Sequence, residues 1–196
     1  MKVIVTASYD ETCRVIAEMI AGLVNEKPDC KLGLATGGTP VPIYKKLIEM
    51  NKAGKVDFSK VRTVNLDEYC GIPGTHDQSY RYFMNTNLFD HINIDKANTF
   101  VANGMGDFEA NARELEEKVR EGGVADLQLL GIGNNGHIAF NEASDHLISV
   151  AHIEHLTEST IDANARFFEK REDVPTTAIT MGMGDIMAAK KVVLAA

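Results

Sequence analysis

Apolar positions along this chain switch between two spacings. Residues 2–6 (KVIVT) and 32–35 (LGLA) form short apolar or β-branched runs of the kind that build strands, whereas residues 11–25 place apolar side chains at helical intervals. The alternation continues with a predicted helix over 41–55, a strand over 61–66, a helix over 80–89 and a strand over 99–101. A polar helix over 107–121 and a strand over 127–130 follow. Beyond the segment 131–142 come a helix over 159–168, a strand over 178–181, a short helix over 184–190 and the apolar run 192–196. Most of the strand segments are largely apolar, as parallel strands covered on both faces must be. The pattern predicts an α/β fold: a single domain over residues 1–196, with an open, mostly parallel sheet flanked by helices. No internal repeat, low-complexity tract or linker-like stretch interrupts it. The last apolar run ends with no polar residue or turn after it, an unusual place for a buried strand to stop, which points to a C-terminal truncation.

Composition narrows the classes. With 196 residues and 44% hydrophobic positions the chain can bury a sizeable core. A net charge of −8 argues against general binding to nucleic acid or an anionic membrane, both of which reward clustered Lys and Arg. An anionic ligand must therefore be captured locally. Cys13, Cys30 and Cys70 are odd in number and widely spaced, fitting neither a disulfide framework nor a CxxC metal site, so a reducing, cytoplasmic location is expected. The opening MKVIVTASYD is too short in its apolar run for a signal peptide, and no window approaches the length of a bilayer span.

Ligands of open α/β sheets bind beyond the carboxyl ends of the strands, which directs attention to four segments. Ala35-Thr36-Gly37-Gly38-Thr39-Pro40 lies between a strand and a helix. Its glycines admit an anion close to backbone amides, which the helix dipole would assist, although the Gly-Lys-Ser/Thr ending of a Walker loop is absent. A plain strand-to-helix turn is the simpler explanation of the same residues. In Asn65-Leu66-Asp67-Glu68-Tyr69, two adjacent carboxylates end an apolar strand. One is expected to face the crevice as a general base and the other to turn away; a helix cap or a solvated turn is the competing account.

The third segment, Gly131 to His137, contains a formal G-x-G-x-x-G, but it lies far from the first strand and runs into His, Asn and Glu where a phosphate-binding helix should begin. Nicotinamide binding is therefore not expected. His137 with Asn141 and Glu142 instead suggests an oriented proton-transfer pair across a turn. His146, His152, Glu154 and His155 crowd one region but match no standard zinc spacing, and His-x-x-His also suits an exposed helix or loop, so no metal is expected. In Asn164-Ala165-Arg166-Phe167-Phe168, Arg166 offers a planar fork for phosphate between apolar anchors.

Taken in order, LGLATGGTP, VNLDEY, SYRYFM from Ser79, GIGNNGHIAFNE and ANARFF make the chain resemble the glucosamine-6-phosphate deaminases (glucosamine/galactosamine-6-phosphate isomerase family) over nearly its whole length. The resemblance implies a sugar-phosphate isomerase-like, Rossmann-like sheet. It also implies conversion of glucosamine 6-phosphate and water to fructose 6-phosphate and ammonia, with no metal or organic cofactor. On the family pattern His137 opens the pyranose ring, assisted by Glu142 and by the residue at Asn135, and Asp67 moves a proton from C2 to C1. Thr36, Gly37, Gly38, Gly131 and Arg166 bind substrate, largely through its phosphate. The partner is thus a small amino-sugar phosphate, with monomer and homo-oligomer both left open.

Three departures stand out. Many members carry Asp where this chain has Asn135, and an amide can orient His137 but cannot share its charge. After Glu142 the family usually continues with Pro and an Arg-containing stretch that helps bind an activating sugar phosphate in allosteric members. Here Ala143, Asp145 and Glu154 occupy that region, which predicts no such activation. The family also places a phosphate-binding lysine shortly after the strand that ends this sequence. Two alternatives share the fold or the ligand: a 6-phosphogluconolactonase-like hydrolase, and a catalytically impaired sugar-phosphate-binding regulator.

Overall fold

A computed structural model describes every residue of the chain except Asn134. Five strands, β1 (Lys31–Leu34), β2 (Arg62–Asn65), β4 (Thr99–Phe100), β5 (Leu127–Leu130) and β8 (Val192–Leu194), form a parallel sheet in the order β4-β2-β1-β5-β8. From β1 the chain first builds outward to β2 and β4, then returns to the other side of β1 to add β5 and β8. The direction of winding therefore reverses between β1 and β5, where the loops leaving the two strands diverge and open a crevice.

One face of this sheet is covered by α1 (Tyr9–Glu26), α2 (Val41–Lys52) and α3 (Tyr80–Asn87), the other by α4 (Phe108–Arg120) and α6 (Met183–Ala188). Helix α1 forms because Cys13, Ile16, Ala17, Ile20, Ala21 and Val24 line one stripe, and Ser8 caps it by accepting the Glu11 amide at 3.2 Å. Asp107 caps α4 in the same way at 3.0 Å. The far end of α4 is closed by Lys31, a buried lysine whose Nζ donates to the carbonyls of Lys118, Val119, Glu121 and Gly123. A cation among the free carbonyls of a helix C-terminus is well placed, which is how this lysine survives burial.

A second sheet, β3 (Asp67–Tyr69), β7 (Thr177–Thr180) and β6 (His152–His155), is antiparallel in the order β3-β7-β6. Leu66 is the hinge between the two sheets: its N–H donates to Leu34 of β1 at 3.1 Å and its carbonyl accepts the Met181 amide at 2.8 Å. The short helix α5 (Glu158–Asn164) follows β6.

The sequence reading is met closely by the helices and by β1, β2, β5 and β7, and departs from the structure in three places. Residues 2–6, expected as a strand, form none: Val3 and Val5 are exposed, and the segment lies across a crevice from β8 without joining its ladder. A β-branched run becomes a strand only when a neighbour supplies its hydrogen bonds. Strand β8, expected to be buried, is an edge strand with Val192 and Leu194 exposed. Residues 152–155, read as an exposed helix or loop, are strand β6, so His152 and His155 point to opposite faces.

Candidate active site

A cleft of about 190 Å³ opens at the carboxyl ends of β1 and β5. It is lined by Thr36, Gly37, Gly38 and Thr39 after β1, by Leu66 and Asp67 at the junction of the sheets, and by Gly131, Ile132, Gly133, His137, Ala139 and Phe140 after β5. Tyr80, Asn164 and Arg166 complete it. The wider crevice between residues 2–6 and β8, about 390 Å³, is lined by Lys2, Lys191 and apolar or hydroxyl side chains and contains no acid or histidine.

The loop after β1 is pinned at both ends. Tyr44, fully buried on α2, donates its hydroxyl to the Ala35 carbonyl at 2.5 Å, and Tyr9 donates to the Thr39 carbonyl at 2.6 Å. Gly37 has φ +90°, a conformation that a side chain would strain. Pro40 takes the position just before α2. Gly131 lies against Thr39, where an added methyl group would stand 3.8 Å from the Thr39 Cβ. The loops after β1 and β5 therefore meet in one continuous rim.

Asp67 and Glu68 are both buried, yet their surroundings differ. Asp67 opens β3 opposite Thr180 and lines the cleft. Burial and the neighbouring Glu68 charge push its carboxyl up to about 8. Glu68 faces away and accepts the amides of Tyr69, Tyr80 and Arg81. The expectation that one carboxylate faces the crevice while the other turns away is met, and the one that turns away is a helix cap.

His137 sits on a tightly turned loop. Its ring lies over Gly133, where a Cβ would come within 2.3 Å of the imidazole Cε1, so only glycine leaves room for it. Its amide donates to Asn135 Oδ1 at 3.2 Å, and Asn135 Nδ2 donates to Glu142 Oε2 at 3.2 Å. The expected direct pairing of His137 with Glu142 is not formed. Glu142 spends its other oxygen on the Thr157 amide and hydroxyl, each at 3.1 Å, and no described residue bonds the buried His137 Nδ1. Burial raises the Glu142 carboxyl, but bonds from Thr160, the Thr157 amide and Asn135 outweigh it and hold the group below its ordinary value. Asn135 and Glu142 thus stand behind His137 and do not line the cleft.

This loop is stitched to the second sheet. Asn141 Nδ2 donates to the carbonyls of Ile138 at 3.0 Å and Met181 at 2.9 Å, and the Phe140 amide donates to Thr180 Oγ1 at 3.2 Å. Ala139 is forced to φ +54°, an unfavourable conformation for a residue with a Cβ, held in place by these bonds. Asn141, grouped from the sequence with the proton-transfer residues, is a clamp.

Arg166, on a 3₁₀ turn after α5, is the one guanidinium among the described residues lining the cleft; its Cζ lies 4.7 Å above the Phe167 ring. A profile of the family described as glucosamine-6-phosphate isomerases/6-phosphogluconolactonase matches residues 5–196. The chain belongs to this family. It is 55% identical to the glucosamine-6-phosphate deaminase of Clostridium perfringens (strain 13 / Type A), covering all of this chain and 81% of that protein. It is 53% identical to the Clostridium beijerinckii enzyme of the same name, covering 99% and 81%. The solved structure of a monomeric glucosamine-6-phosphate deaminase superimposes with a TM-score of 0.96 at 42% identity, covering 99% of this chain and 81% of that one. A 6-phosphogluconolactonase from Thermotoga maritima shares the fold alone, with a TM-score of 0.74 at 20% identity.

Within this family frame the structure gathers Thr36, Gly37, Gly38, Gly131, Asp67, His137 and Arg166 around one cleft. Sequence reasoning assigned no place to the supports: Thr180 beneath the histidine loop, Tyr9 and Tyr44 beneath the glycine loop. Each is a single polar atom whose partner lies elsewhere in the chain, so no local pattern marks it. Among the described residues no helix is long and apolar enough to cross a membrane.

Proposed function

We propose that this chain converts glucosamine 6-phosphate and water to fructose 6-phosphate and ammonia. The observation that carries the reading is Asp67: a buried carboxyl facing a polar cleft, beside a histidine, a glycine-rich rim and a single arginine. A base of raised affinity for protons is what abstraction from carbon requires. Relatives of this name at 53% and 55% identity support the same reaction.

Arg166 and the rim of Thr36, Gly37, Gly38 and Gly131 hold the phosphate, the guanidinium through paired bonds and the glycines through main-chain amides. His137 moves the proton that opens the pyranose ring. Asn135 orients it through the main chain, and Glu142 in turn fixes Asn135. Asp67 takes the C2 proton of the open aldose and returns it to C1 through an enol-type intermediate. The resulting C2 imine adds water and releases ammonia, so the atoms balance without an oxidant or reductant. Each of the two proton-transfer groups contributes on the order of 10² to 10⁴ in rate. Residues 1–196 belong to a single domain that works in the cytoplasm on a small molecule without nucleic acid or membrane; the net charge of −8 and three buried free cysteines support this.

Ammonia release from glucosamine 6-phosphate is the deciding assay, with Asp67→Asn as control and 6-phosphogluconolactone hydrolysis measured alongside. Ammonia that disappears in the variant supports the reaction and its base. Lactone hydrolysis without ammonia, or sugar-phosphate binding without turnover of either substrate, overturns it.

A further inference from the structure

Glu68 is 1% exposed and commits its carboxylate to main chain. Oε1 accepts the amides of Tyr69 and Tyr80, both at 2.9 Å, and Oε2 accepts that of Arg81 at 3.0 Å. Tyr80 and Arg81 are the first two residues of α3, and the next amide, Tyr82, is taken by the Ser79 hydroxyl at 3.1 Å. The free amides of that helix end are therefore closed by one local serine and one carboxylate from β3. Gly104 seals the arrangement: a Cβ there would stand 2.3 Å from the Tyr69 carbonyl and 3.5 Å from Glu68 Cγ.

The tie matters because both of its ends reach the cleft. Asp67 precedes Glu68 on β3, and Tyr80 enters the cleft from the tied end of α3, its ring stacked on Phe140 at 5.8 Å and 7° and packed on Tyr69 at 5.0 Å. We propose that Glu68 is a positioning residue for the reaction: through the amides of Tyr69, Tyr80 and Arg81 it holds Asp67 and the Tyr80 ring in one rigid frame on the cleft wall. This rests on the assignment of Asp67 as the base. A base displaced by about 1 Å can lose on the order of 10² in rate, so a rigid frame has catalytic weight.

Glu68 also acts on Asp67 by charge. The groups facing Glu68 are Asp67 and Tyr69 on its own strand, Cys70 just after it, and Tyr80 and Arg81 on α3. Burial pushes Glu68 up to about 7, opposed by three amides and the Arg81 guanidinium, and no such bonds from the described residues support Asp67. Glu68, with three amides on its oxygens, is the member of the pair better supported as an anion, and its charge raises the proton affinity of Asp67.

Two variants separate the roles. Glu68→Gln keeps the size but removes the charge and turns one acceptor into a donor; Glu68→Asp keeps the charge but is one methylene too short to hold α3. Both are expected to lower kcat about tenfold to a hundredfold with a smaller change in KM. Only Glu68→Gln should move the acid limb of kcat/KM to lower pH, which simple loosening of the fold would not do. Carbon-13 titration of the Asp67 carboxyl in wild type and Glu68→Gln reads the same coupling without turnover. A downward shift there supports the link to Glu68 even if the wild type releases no ammonia, in which case the reading of function alone fails. Wild-type kcat and an unmoved limb in both variants overturn the proposal. Should the variants not fold, amide exchange in the wild type decides: Tyr80 and Arg81 amides exchanging only with global unfolding support the frame, and exchange as fast as an open loop overturns it.

Discussion

The two walls of the cleft hold acids under opposite regimes. On the β3 wall Asp67 stands on a hydrogen-bonded strand, is buried, carries no side-chain bond from any described residue and is pushed up to about 8. On the loop wall Glu142 stands behind a turn, is partly exposed, accepts several bonds and is held below its ordinary value. The difference teaches that the carboxyl group itself decides little: a dry site without donors makes a base for carbon acids, and a donor-rich site makes a permanent anion that orients its neighbours. The means of fixing differ as well. A strand ladder holds Asp67, whereas side-chain stitches from Asn141 and Thr180 hold the loop of His137.

The largest test of this contrast is Asp67→Asn, which is expected to lower kcat by about 10² to 10⁴ while leaving the thermal midpoint undiminished, because a buried carboxyl without donors contributes no favourable bond. A similar loss of activity with a fall in stability would make Asp67 a structural group and dissolve the contrast. Next, Arg166→Met should raise KM for the phosphorylated substrate about tenfold to a hundredfold with kcat less affected, the effect of losing a charged hydrogen bond of about 1.5–3 kcal/mol. Asn141→Ala removes both stitches between the loop and the carbonyls of Ile138 and Met181. It should lower unfolding free energy by about 1–3 kcal/mol and reduce kcat by a smaller factor than Asp67→Asn, measured by urea unfolding and ammonia release on the same sample.

The pH dependence sharpens the comparison further. A base must lose its proton to act, so kcat/KM should fall as pH drops through about 8, the value to which Asp67 is raised. Glu142, lowered, is already ionised across that range and should add no limb there. An acid limb near the ordinary carboxylate value would show that Asp67 is hydrated in solution. The smallest expected effect is none at all: N-acetylglucosamine 6-phosphate should leave substrate affinity unchanged, since Asp145 and Glu154 place negative charge in the region after Glu142 and Glu154 is engaged with His152 at 3.2 Å.

Local pattern made much of this protein legible before any tertiary contact was known. The apolar stripe of α1, the wholly buried run of β5 and the glycine turn after β1 are each determined by residues within a few positions of one another, which is why the sequence placed them closely. The candidate residues Asp67, His137 and Arg166 could be chosen because strand ends and turn chemistry mark them.

Tertiary structure alone decided the rest, since it depends on partners far apart in the chain. Residues 2–6 have strand composition but no ladder partner, while residues 152–155 become a strand because β7 pairs with them. The three-stranded antiparallel sheet exists only because β7 lies between β3 and β6, and Leu66 changes sheets through bonds to Leu34 and Met181. Asp67 could be singled out by its place at the strand end, but the opposite surroundings of the pair could not be read locally: two adjacent carboxylates are alike until one finds the amides of α3 and the other finds none among the described residues. Sequence thus determined the elements and the chemistry on offer, and long-range pairing determined which groups became dry, which became bonded and hence which could act as a base.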